Sequence, residues 1–263
     1  MAGTNCPTVL FLSMAVSCTS VLLRQEAGIA QEDRKIASPV ATIRFGEPGA
    51  GYERYQMRGL AFAKDHLWLL GKTENALYRY DPAARKILAK LPAPCKDPRG
   101  LSWDGSSLLV SDQKTHVVYQ VEPVGGTSKE LLDLDKCEAV EKLPVMPRDL
   151  PSLTAIASDG KHLWAAFAAG YSSSVFKVDL QKRRIVGQMW AHGPEPEGLH
   201  LDGDRLVCID GRNGEIRRLD ARGKAVEVTR IPTKSARGLT YDGSGYWYFN
   251  PEENQLIKLD LRK

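Results

Sequence analysis

Four Gly-Leu pairs in this chain follow a charged residue: Arg58-Gly59-Leu60, Arg99-Gly100-Leu101, Glu197-Gly198-Leu199 and Arg237-Gly238-Leu239. A further, degenerate copy, third in chain order, reads Thr154-Ala155-Ile156. A guanidinium presents paired N–H donors in a rigid fork, which suits a carboxylate or a phosphate. Brought to one place, Arg58, Arg99 and Arg237 would bind a small polar or anionic ligand. Glu197 is the one acid at this position, and a carboxylate beside a substrate can move a proton. His200, in Gly-Leu-His-Leu, could act as a second acid or base if it reaches the same space.

A second set of residues closes the apolar runs that follow: Gly71, Asp112, Phe167, Asp210 and Asn250. Asp112, Asp210 and Asn250 would add polar groups to the site. The loop AAGYSSS at 168–174 offers Tyr171 and three hydroxyls. It does not match the G-x-S-x-G nucleophile pattern. Two readings of the arginines stand side by side. They either present donors to a ligand, or they pair with Asp112, Asp210 or neighbouring carboxylates and tie the fold together.

These residues need a frame that brings them together, and the repeats supply one. Anchored on Gly59, Gly100, Ala155, Gly198 and Gly238, successive copies fall 41, 55, 43 and 40 residues apart. A period near 40 with strand-like contents marks a β-propeller rather than a helical solenoid. Each copy reads as four strands. The first begins at Gly-Leu and ends at a turn, in four copies Asp-Gly: Asp104-Gly105, Asp159-Gly160, Asp202-Gly203 and Asp242-Gly243. Glycine supplies the positive φ of a tight hairpin there.

The second strand is apolar (LWLL, LLVS, LWAAF, LVCI, YWYF), and Trp68, Trp164 and Trp247 recur in it as inter-blade core. The third alternates and closes on an acid: ALYRYD, VVYQVE, SVFKVD, EIRRLD, QLIKLD. Alternation of period two buries one face and wets the other. The fifth copy ends after its third strand, and PVATIRFG at 39–46 precedes the first Gly-Leu without a repeat of its own. The expected fold is therefore all-β: a five-bladed propeller of four antiparallel strands per blade, closed by strand 39–46 completing the C-terminal blade. Gly-Leu should begin each innermost strand, where backbones crowd the channel. The stretch CEAVEKLPVMPRDLP at 137–151 reads as an insertion.

A closed five-bladed ring with GL…DG…LW…D blades resembles the plant- and bacterial-type glutaminyl cyclase (glutamine cyclotransferase) family. Streptogramin-lyase-like propellers share the same phrase. The resemblance spans residues 31–263 and implies a cyclotransferase-like or lyase-like enzyme as the alternative to a binding protein. Against the family's Gln-Gly-Leu, this chain has Arg58-Gly59-Leu60. Against its Gly-Glu-Gly-Leu, it has Pro98-Arg99-Gly100-Leu101. Glu197 keeps an acid where the family has an Asn-Glu-Leu-Glu stretch. The resemblance makes Glu197 the group that would carry a proton from amine to leaving ammonia.

The 263 residues carry a formal charge of +4, with 43% hydrophobic and 26% charged residues. Basic residues are spread along the chain, without the stripe a nucleic-acid surface needs. The expected partner is a small molecule, a peptide or a protein, bound by a monomer. Residues 9–23, VLFLSMAVSCTSVLL, form an apolar run, and Gly28 and Ala30 give the small-x-small pattern before a signal-peptidase cut. Residues 1–30 thus read as a signal peptide cleaved after Ala30, with a secreted or periplasmic propeller at 31–263 and no membrane span. Lipid anchoring at Cys18 is the variant reading. In an oxidising compartment, Cys95 and Cys137 could pair, while Cys208 in LVCID reads as a buried small hydrophobe. No CxxC or HxxxH cluster and no cofactor motif occurs, so neither metal nor cofactor is expected.

Overall fold

Each Gly-Leu phrase begins the innermost strand of a separate antiparallel sheet. The computed structural model describes residues 36–45, 56–140, 152–169, 172–191 and 193–261. The expected signal peptide and Tyr171 lie outside the described residues.

β1 (Pro39–Arg44) is the strand without a repeat of its own. Blade 1 runs outward through β2 (Met57–Ala63), β3 (His66–Gly71), β4 (Ala76–Asp81) and β5 (Lys86–Pro92). Blade 2 follows with β6 (Pro98–Trp103), β7 (Leu108–Asp112), β8 (Val117–Val121) and β9 (Ser128–Asp133). A single 3-10 turn, Leu134–Lys136, leads to β10 (Glu138–Ala139).

Blade 3 is β11 (Ser152–Ser158), β12 (His162–Ala169), β13 (Ser172–Asp179) and β14 (Arg184–Trp190). The start of the insertion is more ordered than its composition implies, because β10 adds to blade 3 as a fifth, parallel strand on β14. Blade 4 is β15 (Pro196–Asp202), β16 (Arg205–Asp210), β17 (Glu215–Leu219) and β18 (Ala225–Arg230). Blade 5 takes β19 (Arg237–Tyr241), β20 (Tyr246–Asn250) and β21 (Gln255–Leu259) from the end of the chain and β1 from its start. The closing pair is antiparallel, with Thr42 opposite Ile257 and Arg44 opposite Gln255.

Why the phrase keeps its glycine is a matter of space. A Cβ on Gly59 would stand 2.8 Å from Leu101 Cβ in the next blade, and one on Gly198 would stand 2.5 Å from the carbonyl carbon of Gly238. At these glycines the innermost strands approach too closely for a side chain. The leucine that follows packs between blades. Among the described residues the core divides into five clusters, one per blade interface. Blades 1 and 2 share Trp68, Leu70, Leu77, Leu101 and Val110. Blades 5 and 1 share Phe249, Trp247, Met57 and Tyr78, with Ile43 and Phe45 contributed by or beside β1. Phe45 meets Tyr80 edge-on, ring centres 5.2 Å apart. A blade alone leaves both faces of its sheet wet, so stability comes from closing the ring.

The recurring aspartates do turn chemistry. Asp81, Asp179 and Asp220 each accept from two backbone N–H groups of the turn after the third strand. Asp104, Asp159 and Asp242 do the same between the first and second. A short carboxylate that reaches back to its own turn replaces the missing ladder partners.

Cys95, Cys137 and Cys208 are buried free thiols. The pairing open to Cys95 and Cys137 is not made: Cys95 packs between blades 1 and 2, Cys137 between blades 2 and 3. Among the described residues no helix is long and apolar enough to cross a membrane.

Candidate functional site

Arg99 and Glu197 both stand on innermost strands, and both are buried. Arg99 Nη2 donates to both Glu197 oxygens, at 2.5 and 2.6 Å. Arg237 Nη1 makes a second ion pair with Glu197 Oε1. The carboxylate the two arginines share is therefore the acid of the same repeat position. Gly211, on the turn between β16 and β17, makes room for it. A Cβ there would stand 2.9 Å from Glu197 Cγ and 2.9 Å from the Ala236 carbonyl oxygen.

Arg58 borders the same axial void as Glu197. It is half-buried, its Nε is buried with no hydrogen-bond partner, and no ion pair holds it among the described residues. Two arginines thus share one carboxylate at this end of the channel, and the third borders the same void.

The second set of predicted residues is spent locally. Asp112 accepts from the backbone N–H groups of Lys114, Thr115 and Asp97. Burial works to raise its carboxyl, and these donors outweigh it, so the group ends below the usual carboxylate range. Asp210 stands at the equivalent place and accepts from the Arg212 and Asn213 backbone and the Asn213 side chain. Here burial wins and the carboxyl is pushed up despite those donors and Arg217. Asn250 Oδ1 accepts from Glu252 N–H and from the Thr233 hydroxyl. All three carboxylate or amide groups hold turns together. In the serine-rich loop, the Ser173 hydroxyl bonds the Gly193 carbonyl.

His200 lies elsewhere. It lines a recess of about 110 Å³ on the other side of a constriction. Leu60, Leu101, Leu199 and Leu239 border both this recess and the void beside Glu197. That void is only about 10 Å³, near the least that holds one water. The leucines of the repeat phrase therefore divide the axis into two chemically different ends, and Glu197 and His200 do not face a common space.

Burial pushes the His200 imidazole down to about 4, with Asp202 opposing weakly. Ser102 and Thr240 share its recess and escaped the sequence reading. Their signal was present: Ala61, Ser102, Ala157, His200 and Thr240 all follow directly after the Gly-Leu or Ala-Ile pair.

A larger space of about 680 Å³ lies off the axis between blades 4 and 5, bordered by Asn213, Arg230, Pro232, Lys234 and Glu252. None of the predicted site residues lines it. Among the described residues, no three His, Cys, Asp or Glu side chains gather as a metal would need.

No protein-family profile matches this sequence, and no curated protein does. Solved structures do resemble it. The glutaminyl cyclase of Myxococcus xanthus superposes with a TM-score of 0.63, covering 86% of this chain and 97% of that one at 11% identity. A chain of a nidogen/laminin complex gives 0.53, covering 79% of this chain and 76% of that one at 16% identity. Virginiamycin B lyase from Staphylococcus aureus gives 0.47, covering 82% and 69% at 17% identity. The resemblance to the cyclase propeller is thus present in the structure, and what the chain shares with that protein is the propeller fold.

Proposed function

We propose that this is an exported propeller that binds a small anion, a carboxylate or a phosphate, at the channel end carrying Arg58, Arg99 and Arg237. One observation carries the reading: Arg58 borders the axial void without a counter-ion among the described residues, while Arg99 and Arg237 converge on a single carboxylate. A partly desolvated guanidinium without an acceptor is costly, and an incoming anion would offset that cost through charge-assisted hydrogen bonds. Arg58 is the residue assigned to the ligand. Arg99 and Arg237 supply field and shape, and Glu197 sets how deep an anion can approach.

Thermal melting of the purified protein with acetate, benzoate, succinate and phosphate tests this. A ligand at 100 times its Kd stabilises by about 2.7 kcal/mol, and Arg58→Gln should abolish the shift. A shift that survives in Arg58→Gln, or silence from every anion, would sink the reading and turn attention to a protein partner. N-terminal sequencing of the exported form, expected to begin at Gln31, tests the export itself.

The second reading is a cyclotransferase-like enzyme using Glu197, supported by the position of that acid on an innermost strand at the channel. The geometry favours it less. Both Glu197 oxygens already accept from guanidinium groups, and neighbouring arginines repel a protonated substrate amine. Ammonia release from a Gln-initiated peptide, lost in Glu197→Gln, would reverse this preference.

A further inference from the structure

The far end of the channel has the makings of a separate site. Its recess is lined by one stretch from every blade, including Phe62, Ser102, Trp103, Ser158, His200 and Thr240. Among the described residues, no Asp, Glu, Lys or Arg belongs to that lining. Phe62, Trp103 and His200 are only half-buried, so solvent reaches the space. We propose that this recess binds a free, uncharged, single-ring molecule that both donates and accepts a hydrogen bond, as a phenol does.

The hydrogen-bonding capacity left in the recess defines that chemistry. Ser158 is spent, since its hydroxyl donates to the His162 carbonyl and accepts from Gly160 N–H. Thr240 accepts from Phe62 N–H at 2.9 Å, which leaves its own proton to give. Ser102 and the His200 ring nitrogens have no hydrogen-bond partner among the described residues. The imidazole is nonetheless held in place: its ring lies 6.0 Å from Tyr241 and 5.8 Å from Tyr246, the latter edge to face.

A neutral imidazole keeps one accepting nitrogen, and burial keeps His200 neutral at ordinary pH. Ser102, Thr240 and His200, from blades 2, 5 and 4, border one space with two hydroxyl donors and an imidazole that offers one accepting nitrogen and one N–H. The leucine floor, Phe62 and Trp103 give the recess apolar lining, with Lys64 Nζ standing 5.8 Å from the centre of the Trp103 ring. A recess of about 110 Å³ is of the order that accepts one six-membered ring, since a dry cavity of roughly 150 Å³ takes benzene. The absence of lining charge selects against benzoate or an anilinium, whose desolvation nothing would offset.

The site stands whether or not the arginine end binds an anion, because the leucine constriction separates the two. The test is a titration of the protein with phenol, toluene and benzoate, following the ¹⁵N signals of the His200 imidazole, identified by their loss in His200→Phe. Phenol should shift those signals saturably, with toluene and benzoate each at least about tenfold weaker. Ser102→Ala and Thr240→Val should each weaken phenol about fivefold, and Ser102→Ala is the deciding variant, since Thr240→Val also removes the acceptor of Phe62 N–H. No saturable shift with phenol, toluene binding as well as phenol, or full phenol affinity in both variants would each overturn the proposal.

Discussion

Arg99 reaches across the axis of the ring to Glu197, with Nη2 within 2.6 Å of both carboxylate oxygens, although Arg99 belongs to blade 2 and Glu197 to blade 4. Ordinary propeller contacts run between adjacent blades. This one joins two that share no interface cluster, and Arg237 brings in blade 5 at the same carboxylate. It acts as a strut inside the lumen.

Removing the charge of that strut should be expensive. Glu197→Gln keeps the shape but leaves two largely buried guanidinium groups without their carboxylate, a change worth about 3 kcal/mol or more. Urea denaturation would measure it. Sulfate should recover part of the loss in the variant and do less for the wild type. Equal stability of the two proteins would mean the ion pair contributes nothing net.

Backbone crowding on the axis gives a second expectation. Gly198→Ala places a methyl 2.5 Å from a backbone carbon of Gly238, and overpacking of this kind costs about 1–3 kcal/mol. The degenerate third blade already carries alanine at Ala155, so Ala155→Gly should change stability much less. Denaturant midpoints of the two variants, compared at constant m, decide between crowding and a general effect of the strand.

The half-buried imidazole of His200 makes stability depend on pH. In the folded protein His200 sits at about 4, against 6.5 for the unfolded chain. Between these values the unfolded state binds the extra proton, so stability falls as pH drops from 6.5 toward 4 and is flat above 6.5. The groups facing the ring are Tyr241, Tyr246 and the Asp202 carboxylate, which opposes the shift only weakly. The contribution is about 3 kcal/mol at most. It should vanish from the pH profile of His200→Phe, measured by denaturation at a series of pH values. An unchanged slope in that variant would assign the acid sensitivity to other groups.

The three thiols of the propeller should be silent in the native state. Burial pushes Cys95 and Cys208 up to about 12 and Cys137 to about 11, and the thiolate is the reactive form. A chromogenic disulfide reagent should label Cys95, Cys137 and Cys208 only after unfolding, with peptide mapping to assign the sites. Native labelling at Cys95 would show that the interface between blades 1 and 2 opens.

The ring was legible because its causes are local and repeated. Gly59, Gly100, Gly198 and Gly238 mark strands that touch, Asp81, Asp179 and Asp220 mark turns, and the leftover strand at Pro39–Arg44 marks the closure. What happens across the axis is not local. That Arg99 meets Glu197 depends on which side chains face each other from blades 98 residues apart, and no spacing in the chain encodes it. Asp112 and Asp210 show the same limit. Their type and position fit a ligand site, yet the nearby backbone N–H groups claim their carboxylates first. His200 reads as a neighbour of Glu197 along β15, but the Leu199 layer puts the two at opposite ends of the channel.

The closing strand also sets a timetable for synthesis. Pro39 pairs opposite Leu259, so β1 leaves the ribosome long before its partner exists. At about 5–20 residues per second, the wait is on the order of ten to forty seconds. Throughout that interval Ile43, Phe45, Met57 and Tyr78 have no blade 5 to cover them, and blade 4 likewise presents an open face. The growing chain is a sticky, unfinished arc until β19, β20 and β21 join β1 and remove two exposed surfaces in one step. Its hazard is premature association with another such arc, and a holdase acting on nascent chains would raise the yield more than any stabilisation of the finished ring.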